Sequence, residues 1–262
     1  MRTLYVDTRS TLWSGSPSDG TLQLTRTLTV PDGGRMRVDN VRIPAIWNTV
    51  SLLNQNLYYL DNGVYRKAQI ARGIYDSDSL AAAIQAAFSA AGGTAVTVAY
   101  SASTGATTFS INTPAANWTL LTDQQLLSLA AQYPTTNVSN PESFNSQLLW
   151  PSTGATVTGS SPVVYTFPFV STQGYDTLYI SCGKLSNSNV QGPYGQSSVI
   201  CVVPVNVAWG EVLEGASPLT VWQDLAPLSA TSLDFQLTDF HGNAVNLLAG
   251  SWSFQLTIDD GQ

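Results

Sequence analysis

The chain has 262 residues, with 10 Lys and Arg against 17 Asp and Glu, a net charge of −7 and only 10% charged residues. An average domain has about 25%. That length accommodates one large β domain or two smaller ones, with a sizeable core in either case. There is no basic run and no Arg-rich tail, which argues against direct nucleic-acid binding, because phosphate contacts need clustered Lys or Arg. The polar surface must then be mostly Ser, Thr, Asn and Gln. Such surfaces can be covered by other copies at little desolvation cost, since charges are what interfaces exclude. The composition suits an assembly protein.

Met1 to Asp7 lacks the apolar core of a signal peptide, and no run approaches the ~18 apolar residues of a membrane span. The expectation is a soluble protein made in the cytosol, with no membrane span. Asn117-Trp118-Thr119 and Asn137-Val138-Ser139 match the glycosylation sequon; without a secretory signal they are read as chance. Two cysteines, Cys182 and Cys201, cannot form a disulfide scaffold. They are expected as two buried thiols, which could face each other as reduced core residues.

In chain order, Leu22, Leu24, Leu28 and Val30 alternate with Gln23, Thr27 and Thr29, with Arg26 on the apolar parity. This is a strand, ended by the turn residues Pro31-Asp32-Gly33-Gly34. Met36 to Ile43 reads as a second strand, stopped by Pro44. Strands over Trp47 to Leu53 and Leu57 to Leu60 follow, the latter ending at Asp61-Asn62-Gly63. The period then changes. Leu80, Ile84, Ala87, Phe88 and Ala91 fall at helical spacing within an Ala-rich stretch. A helix is predicted over 77–91, capped by Asp76 or Ser77 and ended by Gly92-Gly93. Val96, Val98 and Tyr100 alternate, a loop follows, and Thr107 to Asn112 returns. Thr122 and Gln125 have capping-box spacing before a short helix over Asp123 to Ala131.

Residues 134–162 are rich in Pro, Ser, Thr, Asn and Gly and read as a long connection anchored by Trp150-Pro151. Strands are predicted at Val163 to Phe169, Leu178 to Cys182 and Ser198 to Val205, with a loop over Ser186 to Gln196. Leu213 to Pro227 is apolar but irregular, with Trp222 as its core contact. Leu233, Phe235 and Leu237 alternate with Asp234, Gln236 and Thr238. After a turn at Asp239 to Asn243, Trp252, Phe254, Leu256 and Ile258 alternate with Ser253, Gln255 and Thr257. The two runs read as a closing antiparallel hairpin, and the second presents Trp252, Phe254, Leu256 and Ile258 to the core. The fold class is all-β: a jelly-roll sandwich (residues 1–60 plus 134–262) with a small inserted α+β subdomain of helix and hairpin over 61–133.

Residues that could carry chemistry are few. His241, the one histidine, sits in a turn and is read as a solvated loop residue. One His and two separated Cys give no zinc constellation, and no Gly-x-Ser-x-Gly elbow accompanies His241. Gly92-Gly93 follows a helix rather than opening one, so it is no phosphate loop. Asp61, Asp176, Glu211 and Glu214 are candidate carboxylates for glycoside hydrolysis, whose spacing is spatial rather than sequential. Turn chemistry and solvation account for each of them more simply. The seven Trp could line a sugar-binding face, or serve as core and interface residues. No catalytic, cofactor-binding or metal residue is assigned, and no cofactor is expected.

Four segments in order carry a family resemblance. They are Ile70-Ala71-Arg72-Gly73-Ile74-Tyr75 with Leu80 to Gln85, the Leu-rich stretch Gln124 to Ala131, Tyr175 to Cys182 with Ile200 to Pro204, and Leu233 to Gly242 through Ile258. This order resembles the minor capsid (penton) proteins of polinton-like and adinto-type DNA viruses. The chain departs from the family pattern at Ala131-Gln132-Tyr133, where the family has Gly-Phe. The first 60 residues match only by strand pattern. The resemblance implies a non-catalytic structural protein of an icosahedral virion, a homopentamer at the vertices beside the major capsid protein, made in the host cytosol or nucleus. A receptor- or carbohydrate-binding virion module is the alternative, and a sandwich-fold glycoside hydrolase or lyase a third reading.

Overall fold

The computed structural model describes residues 1–111, 118–129, 143–144, 148, 163–185, 198–215 and 222–260. The chain divides into two compact units, Met1–Trp47 with Tyr175–Gln262, and Asn48–Gly174. Strands β1 (Arg2–Asp7), β2 (Trp13–Ser16), β3 (Asp19–Val30) and β4 (Arg35–Pro44) begin the first unit. The second contains β5 (Asn56–Asp61), β6 (Val64–Gln69), helix α1 (Ser77–Ala91), β7 (Val96–Ser101), β8 (Ala106–Ile111), β9 (Trp118–Leu120), helix α2 (Asp123–Ser128) and β10 (Val163–Phe167). The first unit resumes with β11 (Thr177–Ser181), a 3-10 turn at Gly183–Leu185, β12 (Val199–Pro204), β13 (Val212–Gly215), β14 (Gln223–Asp224), β15 (Leu228–Thr238) and β16 (Ser253–Asp259).

The first unit has two antiparallel sheets. One runs β1-β16-β4-β13, with β14 also on β4; the other runs β12-β11-β15-β3-β2. The pairings are nested. The first strand pairs with the last (Leu4↔Leu256) and β3 with β15 (Leu22↔Leu233). Further in, β4 pairs with β13 (Ile43↔Leu213) and β11 with β12 (Ile180↔Cys201). A long hairpin rolled into two facing sheets has this order, and it is the jelly-roll topology. The two inner faces interdigitate into one core, with Met36, Ile43, Leu178, Ile180, Phe235, Leu237, Phe254 and Leu256 at its centre.

The expected core face of the last strand is found. Trp252, Phe254, Leu256 and Ile258 are all buried. The expected closing hairpin is not: β15 and β16 lie in different sheets. They meet across the core, where Phe235 and Phe254 pack edge to face at 5.2 Å. A period of two fixes which face of a strand is dry, but not which strand lies beside it. Thr257, on the outer parity, is buried as well; its hydroxyl donates to Asp39 Oδ2 at 3.0 Å, which also accepts from Arg37 Nε at 2.9 Å.

Two further expectations change in this unit. Cys182 and Cys201 are buried and form no disulfide, but the register sets Ile180 opposite Cys201, and Cys182 lies beyond the end of β11. Trp222 is half-buried rather than a core residue, under the guanidinium groups of Arg37 (5.1 Å) and Arg35 (5.8 Å).

The second unit pairs β10-β8-β7 in one sheet and β6-β5-β9 in another. Helix α1 lays Leu80, Ala81, Ile84, Ala87 and Phe88 into a core with Tyr59, Phe109, Trp118 and Phe167. Its bounds are those the periodicity gives. Asp76 accepts from Ser79 N at 2.8 Å and forms a capping box. The expected strand over Trp47 to Leu53 is a loop with one bridge, Val50↔Gly73. Side chains compete with the ladder there: Asn54 Oδ1 accepts from Ser51 N at 2.6 Å and Nδ2 donates to Thr49 O at 2.9 Å. The inserted unit is also wider than 61–133. Strand β5 pairs with β6 and β9, and β10 with β8, so 48–60 and 163–174 belong to it.

Helix α2 stops at Ser128, short of the expected Ala131, with Thr122 and Gln125 forming the expected box. Apart from Ser143, Phe144 and Leu148, all buried, the connection 134–162 with Trp150-Pro151 lies outside the described residues. So do the loop Ser186 to Gln196 and both sequon asparagines.

Phe254→Ala should leave a cavity and cost about 3–5 kcal/mol, whereas Gln255→Ala, on the half-exposed face, should stay within about 0.5 kcal/mol. Chemical denaturation of both variants checks this. Equal midpoints for Phe254→Ala and wild type would refute the register.

Burial also makes the core sensitive to alkali. It pushes the Cys182 thiol up to about 11, and burial together with Asp239 pushes the Tyr175 phenol up to about 12. Both groups are neutral when folded and ionise earlier in the unfolded chain. Their stabilisation is full below the unfolded pKa and is lost as pH rises through the folded one. For Cys182, the loss between the ordinary 9.0 and about 11 amounts to on the order of 2–3 kcal/mol. Unfolding free energy should therefore fall over this range and fall less in Cys182→Ala; identical alkaline slopes for the two proteins would contradict it.

Candidate functional site

The carboxylates named from the sequence are absorbed by structure. Asp61, at the end of β5, is 3% exposed. Its Oδ2 accepts from Thr94 N at 2.9 Å and its Oδ1 from Thr94 Oγ1 at 2.7 Å. Arg66 Nε stands 3.2 Å from Oδ2 as an ion pair, off the line of a hydrogen bond. Arg66 also donates to Ala91 O at 3.3 Å, and Tyr59 Oη to Gly92 O at 3.1 Å. Helix α1 has no basic residue in its last turn, so β6 supplies the cation that its C-terminal carbonyls favour. Gly93 (φ +91°) lets the chain pass: a Cβ there would stand 2.2 Å from Asp61 Oδ2.

The other candidates are also occupied. Glu214 pairs with Arg42 at 2.6 Å on an exposed face, and Glu211 accepts from Ala208 N at 2.9 Å in the turn before β13. Asp176 is exposed, and its backbone carbonyl accepts from Val205 N at 2.9 Å. Asp61 belongs to the second unit and the other three to the first. His241 is exposed at the turn after β15, beside Phe240 at 5.4 Å. Asp239 braces that turn, accepting from His241 N at 2.8 Å and Asn243 N at 2.9 Å.

Shifted ionisations have equally local causes. The Arg9 guanidinium holds Asp7 below its ordinary value, Ser79 does the same for Asp76, and burial raises Tyr59. Among the described residues, no group of three or more His, Cys, Asp or Glu could hold a metal ion. No helix among them is long and apolar enough to cross a membrane.

A cleft of about 380 Å³ opens in the second unit between β5, β6, β9 and α2. Leu60, Tyr65, Leu121 and Leu129 line it with Thr119, Gln125 and Ser128, and none of these is charged. The larger exposed apolar groups of the first unit sit on sheet edges and tight turns, which sequence reasoning did not single out. Tyr5 on edge strand β1 is 74% exposed and Trp209, in the turn before edge strand β13, is 54% exposed. The Trp209 turn is rigidly tied: Gly210 N donates to Ala45 O, and Ala45 N to Glu211 O, both at 2.8 Å. A lone aromatic in a short polar stretch carries no periodic signal, so only the fold reveals it as exposed.

No protein-family model and no curated protein matches the chain. Among solved structures, it is similar to the mavirus penton protein, at 8% identity and a TM-score of 0.48, over 98% of this chain and 98% of that one. It is also similar to a chain of the Sputnik virophage structure, at 12% identity and a TM-score of 0.44, over 99% of this chain and 98% of that one. At this level of similarity, the topology rests on the nested ladders themselves.

Proposed function

We propose that this chain is a structural capsid subunit of an icosahedral DNA virus, a penton-type minor capsid protein that acts without catalysis or cofactor. The observation that carries the reading is the nested jelly roll, an architecture used by viral capsid and lectin domains, combined with a surface that is poor in charge and whose cations are mostly ion-paired. In the first unit Arg2, Arg9, Arg35, Arg37, Arg42 and Lys184 are each ion-paired, to Asp260, Asp7, Asp259, Asp39, Glu214 and Asp234. Covering these paired groups strands neither partner's charge. The outer edges of β1 and β13 offer backbone groups that a neighbouring subunit can meet. The segment order that resembles penton proteins supports the same reading, and with it a homopentamer at the vertex beside the major capsid protein.

A receptor- or carbohydrate-binding module would use the exposed aromatics instead. In the first unit Tyr5 lies on β1 and Trp209 and Phe240 in two different turns, which favours contact surfaces over a single sugar groove.

Light scattering on purified protein should give a closed oligomer with the mass of five subunits. A strict monomer at all concentrations that is also absent from virions would overturn the capsid reading. Neither wild type nor His241→Ala should turn over a glycan. Robust wild-type turnover lost in that variant would replace the capsid reading with an enzymatic one.

A further inference from the structure

Asn62-Gly63 is the one Asn-Gly pair in the chain, and its surroundings make it more than a turn. The pair forms the two-residue loop between β5 and β6, with Asp61 opposite Val64 in the ladder. Both residues have positive φ, 51° and 80°, the conformation of a type I′ hairpin turn. Both are exposed, and the space where a Gly63 Cβ would stand is open. Asn62 Nδ2 donates to Asp61 Oδ1 at 3.2 Å. Asp61 is the buried carboxylate that ties this hairpin to Thr94, beyond the end of α1.

We propose that Asn62 is a site of spontaneous covalent modification, and that its conversion loosens the Asp61 clasp. The Gly63 backbone nitrogen attacks Asn62 Cγ, unobstructed because Gly63 has no side chain. The Cγ–Nδ2 bond breaks and ammonia leaves, taking up the proton shed by the Gly63 amide; a succinimide remains. Water opens the ring at either carbonyl, giving aspartate or isoaspartate at position 62. Water is the only co-reactant, and nothing is oxidised or reduced.

The product differs from Asn62 in two ways that matter at Asp61. The amide donor to Oδ1 is gone, and a second carboxylate stands against one that is already buried, where like charges oppose each other. Isoaspartate also adds a backbone methylene, so a two-residue loop can no longer keep both flanking strands in register. The effect reaches the end of α1, because Asp61 holds Thr94 by two hydrogen bonds and pairs with Arg66, which holds Ala91 O.

The test incubates the full chain, folded, at mildly alkaline pH and follows each Asn by peptide mass spectrometry, with melting temperature as a second readout. Asn62 should convert ahead of every other Asn. Asn62→Asp should melt lower than Asn62→Gly by roughly 2–4 °C; the Gly variant keeps positive φ without strain and cannot be modified. Aged wild type should acquire the lower transition in proportion to conversion, and aged Asn62→Gly should not. If Asn62 stays intact in the folded protein while converting in the unfolded chain, the site assignment fails. If Asn62→Asp melts with Asn62→Gly, the link to Asp61 fails.

Discussion

The edge-to-face contact of Phe235 with Phe254, 5.2 Å between ring centroids, joins the two sheets of the first unit at the centre of their core. Trp252 stacks on Phe254 at 5.3 Å and donates its indole N–H to Pro17 O at 2.5 Å. Strand β15 carries one ring and β16 the other, and each strand has two neighbours in its own sheet. The aromatic pair is therefore where four long-range ladders are held face to face. Because the pairing is nested, the first strand cannot find its register until the last has been placed. Leu4 meets Leu256 only when both chain ends lie on the same sheet.

The inserted unit solves a different problem. Its helix is Ala-rich and short of charge, and its C-terminal turn carries no cation. The β5–β6 hairpin supplies what the helix lacks: Arg66 for the last carbonyls, Asp61 for the backbone after Gly93, and Tyr59 both as a core ring and as a donor to Gly92. One buried carboxylate with several partners thus adds a polar connection between two elements that already pack through Tyr59 and Phe88. A hub of this kind is stable while every partner is in place and is costly when one is removed. Its dependence on a neighbouring exposed amide makes the turn at Asn62 consequential.

Low charge has a consistent physical expression in the first unit. Most of its cations sit in ion pairs, some of them across neighbouring strands, such as Arg42 with Glu214 and Arg35 with Asp259. Surface pairs like these contribute little to stability. Their effect is on what the surface can meet, because a neutral polar face can be covered by another protein without leaving a charge unpaired. The exposed aromatics lie on an edge strand and on turns whose backbone is already hydrogen-bonded.

Local pattern determined much of this protein. The period of two placed Trp252, Phe254, Leu256 and Ile258 in the core, and helical spacing with Asp76 and the Gly92-Gly93 stop bounded α1 to the residue. Those signals are legible because they depend only on neighbours a few positions away. Strand partnership is not local. Nothing in the alternation of Leu233 to Leu237 or of Trp252 to Ile258 says that they lie in opposite sheets rather than one hairpin, nor that β10 belongs with β8 in the inserted unit. Short strands such as β9 and β13 carry too few residues for a period, and they exist because a longer neighbour offers them a ladder. The roles of the candidate acids were decided the same way. Asp61 looks like any turn aspartate in sequence; only the tertiary structure brings Thr94 and Arg66 to it, and that company makes it a structural clasp.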